Sequence, residues 1–245
     1  MLKVAIRTLA ILPPVLRARA PGCTIVGMTS EAAPPPAAPA GHRSVQHDER
    51  AALHDALRLV AVALTDAGLP FALVGGYAAW ARGASEPSHD VDFAILEDDI
   101  ARAQEAIRAA GLEVHEPPEN WLFKAYHHGA LVDVLFRMVG EPVTPELLAS
   151  SDEIEVLAVR MPVLDASAIV SGKLRVLGEH ACDFSRLLGI VRAVREQVDW
   201  PRVREEVGGN PYARAFLYLA DELGISDHRT PAERVSPGAT AAPRD

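Results

Sequence analysis

Cysteine is nearly absent from this chain. The two in 245 residues, Cys23 and Cys182, stand far apart in unlike surroundings. That spacing excludes a disulfide framework and a cysteine-based metal cluster, and it suits a reducing cytoplasm. Long apolar runs are missing too: none reaches the ~18–20 residues that a bilayer-spanning helix needs, so no membrane partner is expected. Basic residues are in deficit, with 24 Lys and Arg against 33 Asp and Glu and a formal net charge of −9. A protein that coats nucleic acid non-specifically needs the opposite balance. Residues 1–23 carry a basic start and some apolar side chains, but Arg7 and Pro13-Pro14 interrupt what would have to be a secretory core. No signal peptide is expected, and Met28 stands as an alternative initiator. There is no internal repeat.

What is present suffices for a packed core: 49% of the residues are hydrophobic, enough for one medium domain with extensions or two small ones. Residues 30–47 are Pro/Ala-rich and polar, so residues 1–47 are expected to form a disordered lead, and the polar stretch 227–245 a disordered tail. Between them lie a mixed segment, residues 48–164, and a helical one, residues 165–226.

Leu53, Leu57, Val60 and Leu64 recur at helical spacing and predict an amphipathic helix that ends at Gly68. The following stretch, residues 71–96, is FALVGGYAAWARGASEPSHDVDFAIL. It predicts a short strand, a Gly75-Gly76 turn, a short helix, a loop and a second strand. In a strand, successive side chains alternate faces, so Asp90 and Asp92 project together while Val91, Phe93 and Ile95 project the other way. Two carboxylates a few Å apart raise each other's pKa unless a cation separates them, and a hard divalent ion such as Mg2+ is a common solution.

Glu97, Asp98 and Asp99 sit at the start of the next helix, where acids complement the dipole. Strand candidates follow at residues 112–115, 121–126 and 130–138, the last two as a hairpin. Asp133 lies mid-strand with Leu131 and Leu135, an expensive place for an unpartnered acid. A short helix over residues 145–149 and a strand pair near residues 155–164 precede four helices, the first capped by Asp165.

A Gly-Gly pair closing a strand, an Asp-x-Asp in the next and a third Asp in a later strand resemble the DNA polymerase beta-like nucleotidyltransferase superfamily. The match is carried by Gly75-Gly76, Asp90-Val91-Asp92 and Asp133 over about residues 68–140. The wider segment is similar to the bacterial stand-alone and toxin-like branch. The resemblance implies an α/β (α+β) nucleotidyltransferase fold with a short mixed sheet, helices on one face and the metal site on the other, plus a C-terminal helical segment.

The resemblance further implies a Mg2+-dependent enzyme, with two metals held by Asp90, Asp92 and Asp133, that binds an NTP such as ATP. It would transfer a nucleoside monophosphate to a hydroxyl acceptor: a small molecule, tRNA or a protein side chain. Gly75 and Gly76 let backbone amides approach a phosphate, helped by the helix start behind them.

In many relatives a Ser follows the first glycine, and Arg and Thr precede the Asp pair; here those places hold Gly76, Glu86 and Ser88. Ser88 keeps a hydroxyl for the nucleotide, whereas Glu86 replaces a positive charge. Lys173-Leu174, with Asp183 further on, resembles a phosphate-side motif of the toxin-like branch, and Lys124 is a second lysine of that kind. Two other readings use the same residues: a non-catalytic nucleotide- or partner-binding module, and a tRNA-modifying toxin with an antitoxin partner.

Overall fold

Two hydrophobic periods alternate along the chain, and the elements follow them. The computed structural model describes the backbone of residues 40–226 and the side chains of residues 48–226. The expectations for residues 1–39, Met28 among them, and for residues 227–245 lie outside the described residues. In order, the elements are α1 (Ala40–Asp66), β1 (Phe71–Val74), α2 (Gly75–Ala81), β2 (Asp90–Ile95), α3 (Ile100–Ala109), β3 (Glu113–His115), β4 (Leu122–His127) and β5 (Ala130–Leu135). A two-stranded ribbon of β6 (Arg137–Met138) and β7 (Glu141–Pro142) comes next, then α4 (Pro145–Ala149), β8 (Asp152–Val156) and β9 (Val159–Val163). Helices α5 (Ala166–Arg175), α6 (Phe184–Val194), α7 (Trp200–Val207) and α8 (Pro211–Glu222) complete the described chain. Helix α1 starts ahead of Asp48, because a nucleated helix propagates cheaply into residues with no apolar face of their own.

Seven strands form one mixed sheet in the order β3-β4-β5-β2-β1-β9-β8. β1 and β2 run antiparallel and β2 and β5 parallel, while β8–β9 extends the sheet beyond β1. The core face carries Val91, Phe93, Ile95, Val132, Val134, Phe123 and Ala125, packed with Leu57, Val60, Leu64 and Ile107 of α1 and α3. Burial of these branched and aromatic side chains is the main favourable term. A second apolar cluster joins Val170 and Leu174 of α5 to Val191, Trp200, Val203 and Phe216 of the later helices. No helix among the described residues is long and apolar enough to cross a membrane.

One polar side chain links these parts. Arg82, at the end of α2, is only 6% exposed. Its guanidinium donates to the carbonyl oxygens of Leu164 (2.7 Å) and Val163 (2.9 Å) and to Asp152 Oδ2 (2.7 Å). In return, Gln197 Nε2 donates to the Arg82 carbonyl oxygen at 2.9 Å. Arg82 thereby holds α2 against the β9–α5 junction. Replacing it with Met keeps the stem but leaves those acceptors unpaired, so Arg82→Met should lower unfolding stability by about 2 kcal/mol, read as a reduced denaturant midpoint with unchanged slope.

Candidate metal and nucleotide site

The polar face of the sheet is assembled by register. β2 and β5 pair in parallel with Asp92 opposite Asp133 and Asp90 opposite Leu131. Asp90, Asp92 and Asp133 therefore converge, each offering a carboxylate oxygen, and these oxygens lie within 4.8 Å of one another. Burial, and next the charges of Asp90 and Asp133, push the Asp92 carboxyl up to about 7; Lys173 and the Gly76 N–H, which donates to that carboxylate, pull the other way. Hard oxygen donors this close, one of them costly to ionise, fit a divalent cation such as Mg2+.

Gly75 makes the convergence possible. Its φ is +65°, and a Cβ there would sit 2.7 Å from Asp92 Cγ, inside the space the carboxylate occupies. Only glycine combines that backbone conformation with that approach. The Gly76 N–H, expected from the sequence to face a phosphate, lies beside the Asp92 carboxylate and favours its ionised form. Ser88 is exposed in the loop leading into β2.

Two lysines reach the acids. Lys124 Nζ, on β4, donates to Asp133 Oδ1 at 2.8 Å, with the side chains 26% and 13% exposed. Burial lowers the lysine's pKa, but the hydrogen bond and charge of Asp133 outweigh it and leave it raised. Lys173 on α5 is the reverse case. Burial depresses its pKa despite the attraction of Asp92 and Asp90, and Arg186 adds to the depression. Asp183 caps α6, accepting from the Ser185 and Arg186 amides.

Glu86 has a role that no local pattern signals. Its carboxylate accepts from His54 Nε2 at 2.6 Å and lies 3.5 Å from Arg50 Nε, both on α1. The His54 ring stacks on Trp80 with centroids 5.9 Å apart. Glu86 thus tethers the loop before the Asp pair to α1. Tyr77 packs in the same cluster, its hydroxyl buried and without a partner among the described residues. Burial, and then Glu86, push the Tyr77 phenol up to about 12.

The fold has a solved counterpart. The solution structure of the antibiotic-resistance factor ANT(2'')-Ia matches with a TM-score of 0.51 at 14% identity, over 69% of this chain and 97% of that one. The chain has the nucleotidyltransferase fold. The crystal structure of the same factor in complex with adenylyl-2''-tobramycin gives 0.49 at 16% identity, over 68% and 97%. A putative nucleotidyltransferase from Thermotoga maritima gives 0.41 at 16%, over 49% and 81%. No protein-family model and no curated protein matches the sequence.

The acids of this nucleotidyltransferase fold have a thermodynamic signature. Because the Asp92 pKa is raised from 3.8 to about 7, the folded state holds a proton that the unfolded state has lost. The metal-free protein should therefore lose stability as pH rises through that window. Asp92→Asn should raise the metal-free Tm at pH 8 and progressively less toward pH 4. Mg2+ should raise the Tm of the parent protein and not of the variant. A Tm gain from Asp92→Asn that does not vary with pH would contradict the raised carboxyl.

Proposed function

We propose that this chain is a Mg2+-dependent nucleotidyltransferase, working in the reducing cytoplasm, that moves a nucleoside monophosphate from an NTP to a hydroxyl acceptor and releases pyrophosphate. The observation that carries the reading is the convergence of Asp90, Asp92 and Asp133, with a glycine beside them that leaves room for the Asp92 carboxylate. The fold adds support.

In this reading Asp90 and Asp92 hold the metal from β2, and Asp133 completes the set from β5. Mg2+ bound there supplies the positive charge that offsets negative charge developing on the α-phosphate and on the leaving pyrophosphate. Lys173, kept from full solvation and facing Asp90 and Asp92, serves the phosphates, with Ser88 offering its hydroxyl from the loop. The acceptor oxygen attacks the α-phosphorus in line, the bond from that phosphorus to the bridging oxygen breaks, and the hydroxyl proton passes to Asp133. Lys124 orients Asp133 through one oxygen, leaving the other for that proton.

Incubation with each α-labelled NTP, Mg2+ and a cell lysate should transfer label to an acceptor; small-molecule, tRNA and protein fractions distinguish the acceptor classes, with labelled tRNA marking the toxin reading. Asp90→Ala and Asp92→Ala should each reduce transfer by about 10³-fold or more with circular dichroism unchanged. Metal-independent NTP binding, or none, would instead mark a non-catalytic module.

A further inference from the structure

A cavity of about 590 Å3 opens on the triad's face of the sheet, at the end of β5 away from Gly75. Its floor is Leu135, which shares a strand face with Asp133, two residues earlier; its far wall is Gly172 of α5 and Val176 just beyond the helix end. Of the six large apolar side chains left exposed among the described residues, three, Trp121, Val139 and Val176, line this one recess. Among the described residues no carboxylate lines it, and the one charged residue that does, Arg137, is paired with Glu97 at 3.1 Å. The size falls in the range of small-molecule sites, which are mostly apolar with few polar groups.

Val139 marks the cavity as more than incompletely filled core. It stands with Gly140 in the two-residue turn between β6 and β7, at φ +52° and +84°. Such turns favour Asn, Asp or Gly, and a β-branched residue there is strained. The β8–β9 turn also carries a large residue at positive φ, Leu157, but Leu157 packs against the main core. Val139 belongs to neither apolar cluster and is 38% exposed. Strain retained without core packing is characteristic of ligand clamps.

We propose that this cavity receives the apolar ring of an uncharged, hydroxyl-bearing small-molecule acceptor. The inference rests on the transferase reading above and adds the acceptor's chemistry. In-line displacement places the attacking group and the departing pyrophosphate on opposite sides of the α-phosphorus. The glycine pair follows β1, on one side of Asp90 and Asp92; β5, Asp133 and the cavity lie on the other. A ring seated over Trp121 and Leu135 would bring its attached hydroxyl toward Asp133. A polycation would find no carboxylate in the cavity to pair with and would meet Arg137.

Phenyl β-D-glucoside, methyl β-D-glucoside and the polycation tobramycin test this by calorimetry on the full chain. The phenyl glucoside should bind saturably with a negative heat-capacity change, and the methyl glucoside, which keeps the sugar but lacks the phenyl ring, should not. Trp121→Ala should weaken phenyl glucoside binding by about tenfold or more. Val139→Asn should weaken it while leaving Tm unchanged or raised, because Asn tolerates the turn. Asp92→Ala should leave it intact. Equal binding of the two glucosides, displacement by tobramycin, or an unchanged Trp121→Ala affinity would overturn the proposal. If Mg2+·NTP binds and the phenyl glucoside does not, the cavity assignment fails and the transferase stands. If the phenyl glucoside binds and Mg2+·NTP does not, the transferase reading fails, and with it the acceptor role. Loss of AMP affinity in Trp121→Ala with no phenyl glucoside binding would assign the recess to the nucleobase and overturn the proposal.

Discussion

Three carboxylates held within 4.8 Å of one another on a half-buried sheet face are the constraint to which the surrounding structure answers. Left alone, such a group costs stability, and the Asp92 carboxyl registers the cost directly. Each neighbouring feature bears on it. Gly75 gives up its side chain so that Asp92 has room, the Gly76 amide donates to that carboxylate, and Lys124 and Lys173 approach from β4 and α5. The opposite face of the same strands is wholly apolar, so β2 and β5 are anchored firmly enough to hold their polar face in an arrangement that would otherwise relax.

Much of this is legible in the sequence. Alternation places Asp90 and Asp92 on one side of a strand and Asp133 between Leu131 and Leu135 on another, and these are local properties. Helix caps are equally local: Asp165 accepts from the Ala168 amide as its position predicts. Pairing is not local. Nothing in the sequence states that β2 lies parallel to β5 with Asp92 opposite Asp133, because a register shift by one residue would preserve every strand pattern while turning one acid away. Glu86 shows the same limit. Read along the chain, it is a lost positive charge near the phosphates; in space it is an anchor to His54, thirty-two residues earlier. Arg82 reaches carbonyls more than eighty residues away, and no periodicity reports such a bond.

Those long-range bonds tie the sheet to the helices that follow it. Lys173 sits on α5, whose first turn is capped by Asp165 beside the carbonyls that Arg82 grips. The remaining apolar face of α5, through Val170 and Leu174, belongs to the core of the later helices. Lys173 is therefore positioned from both sides, and its ammonium is delivered to the acids by packing rather than by chance sampling of a flexible stem. Its depressed pKa follows from the same placement: burial that aims the side chain also strips its water.

The two lysines also divide the acids into unequal kinds. Lys124 makes its hydrogen bond to Asp133 alone, across the β4–β5 pair, so that carboxylate has a fixed partner and orientation. Lys173 acts on Asp92 and Asp90 through charge rather than through a hydrogen bond. Three acids face two lysines, and the shortfall falls on β2, where Asp92 is the acid whose ionisation is hindered. A cation attracted by that imbalance is drawn toward Asp90 and Asp92 first, whereas Asp133 is already held by a neighbour that leaves one of its oxygens free. The three residues are chemically identical, but the cations around them differ: β2 carries the two acids without a hydrogen-bonded lysine, and β5 carries the acid whose partner is fixed.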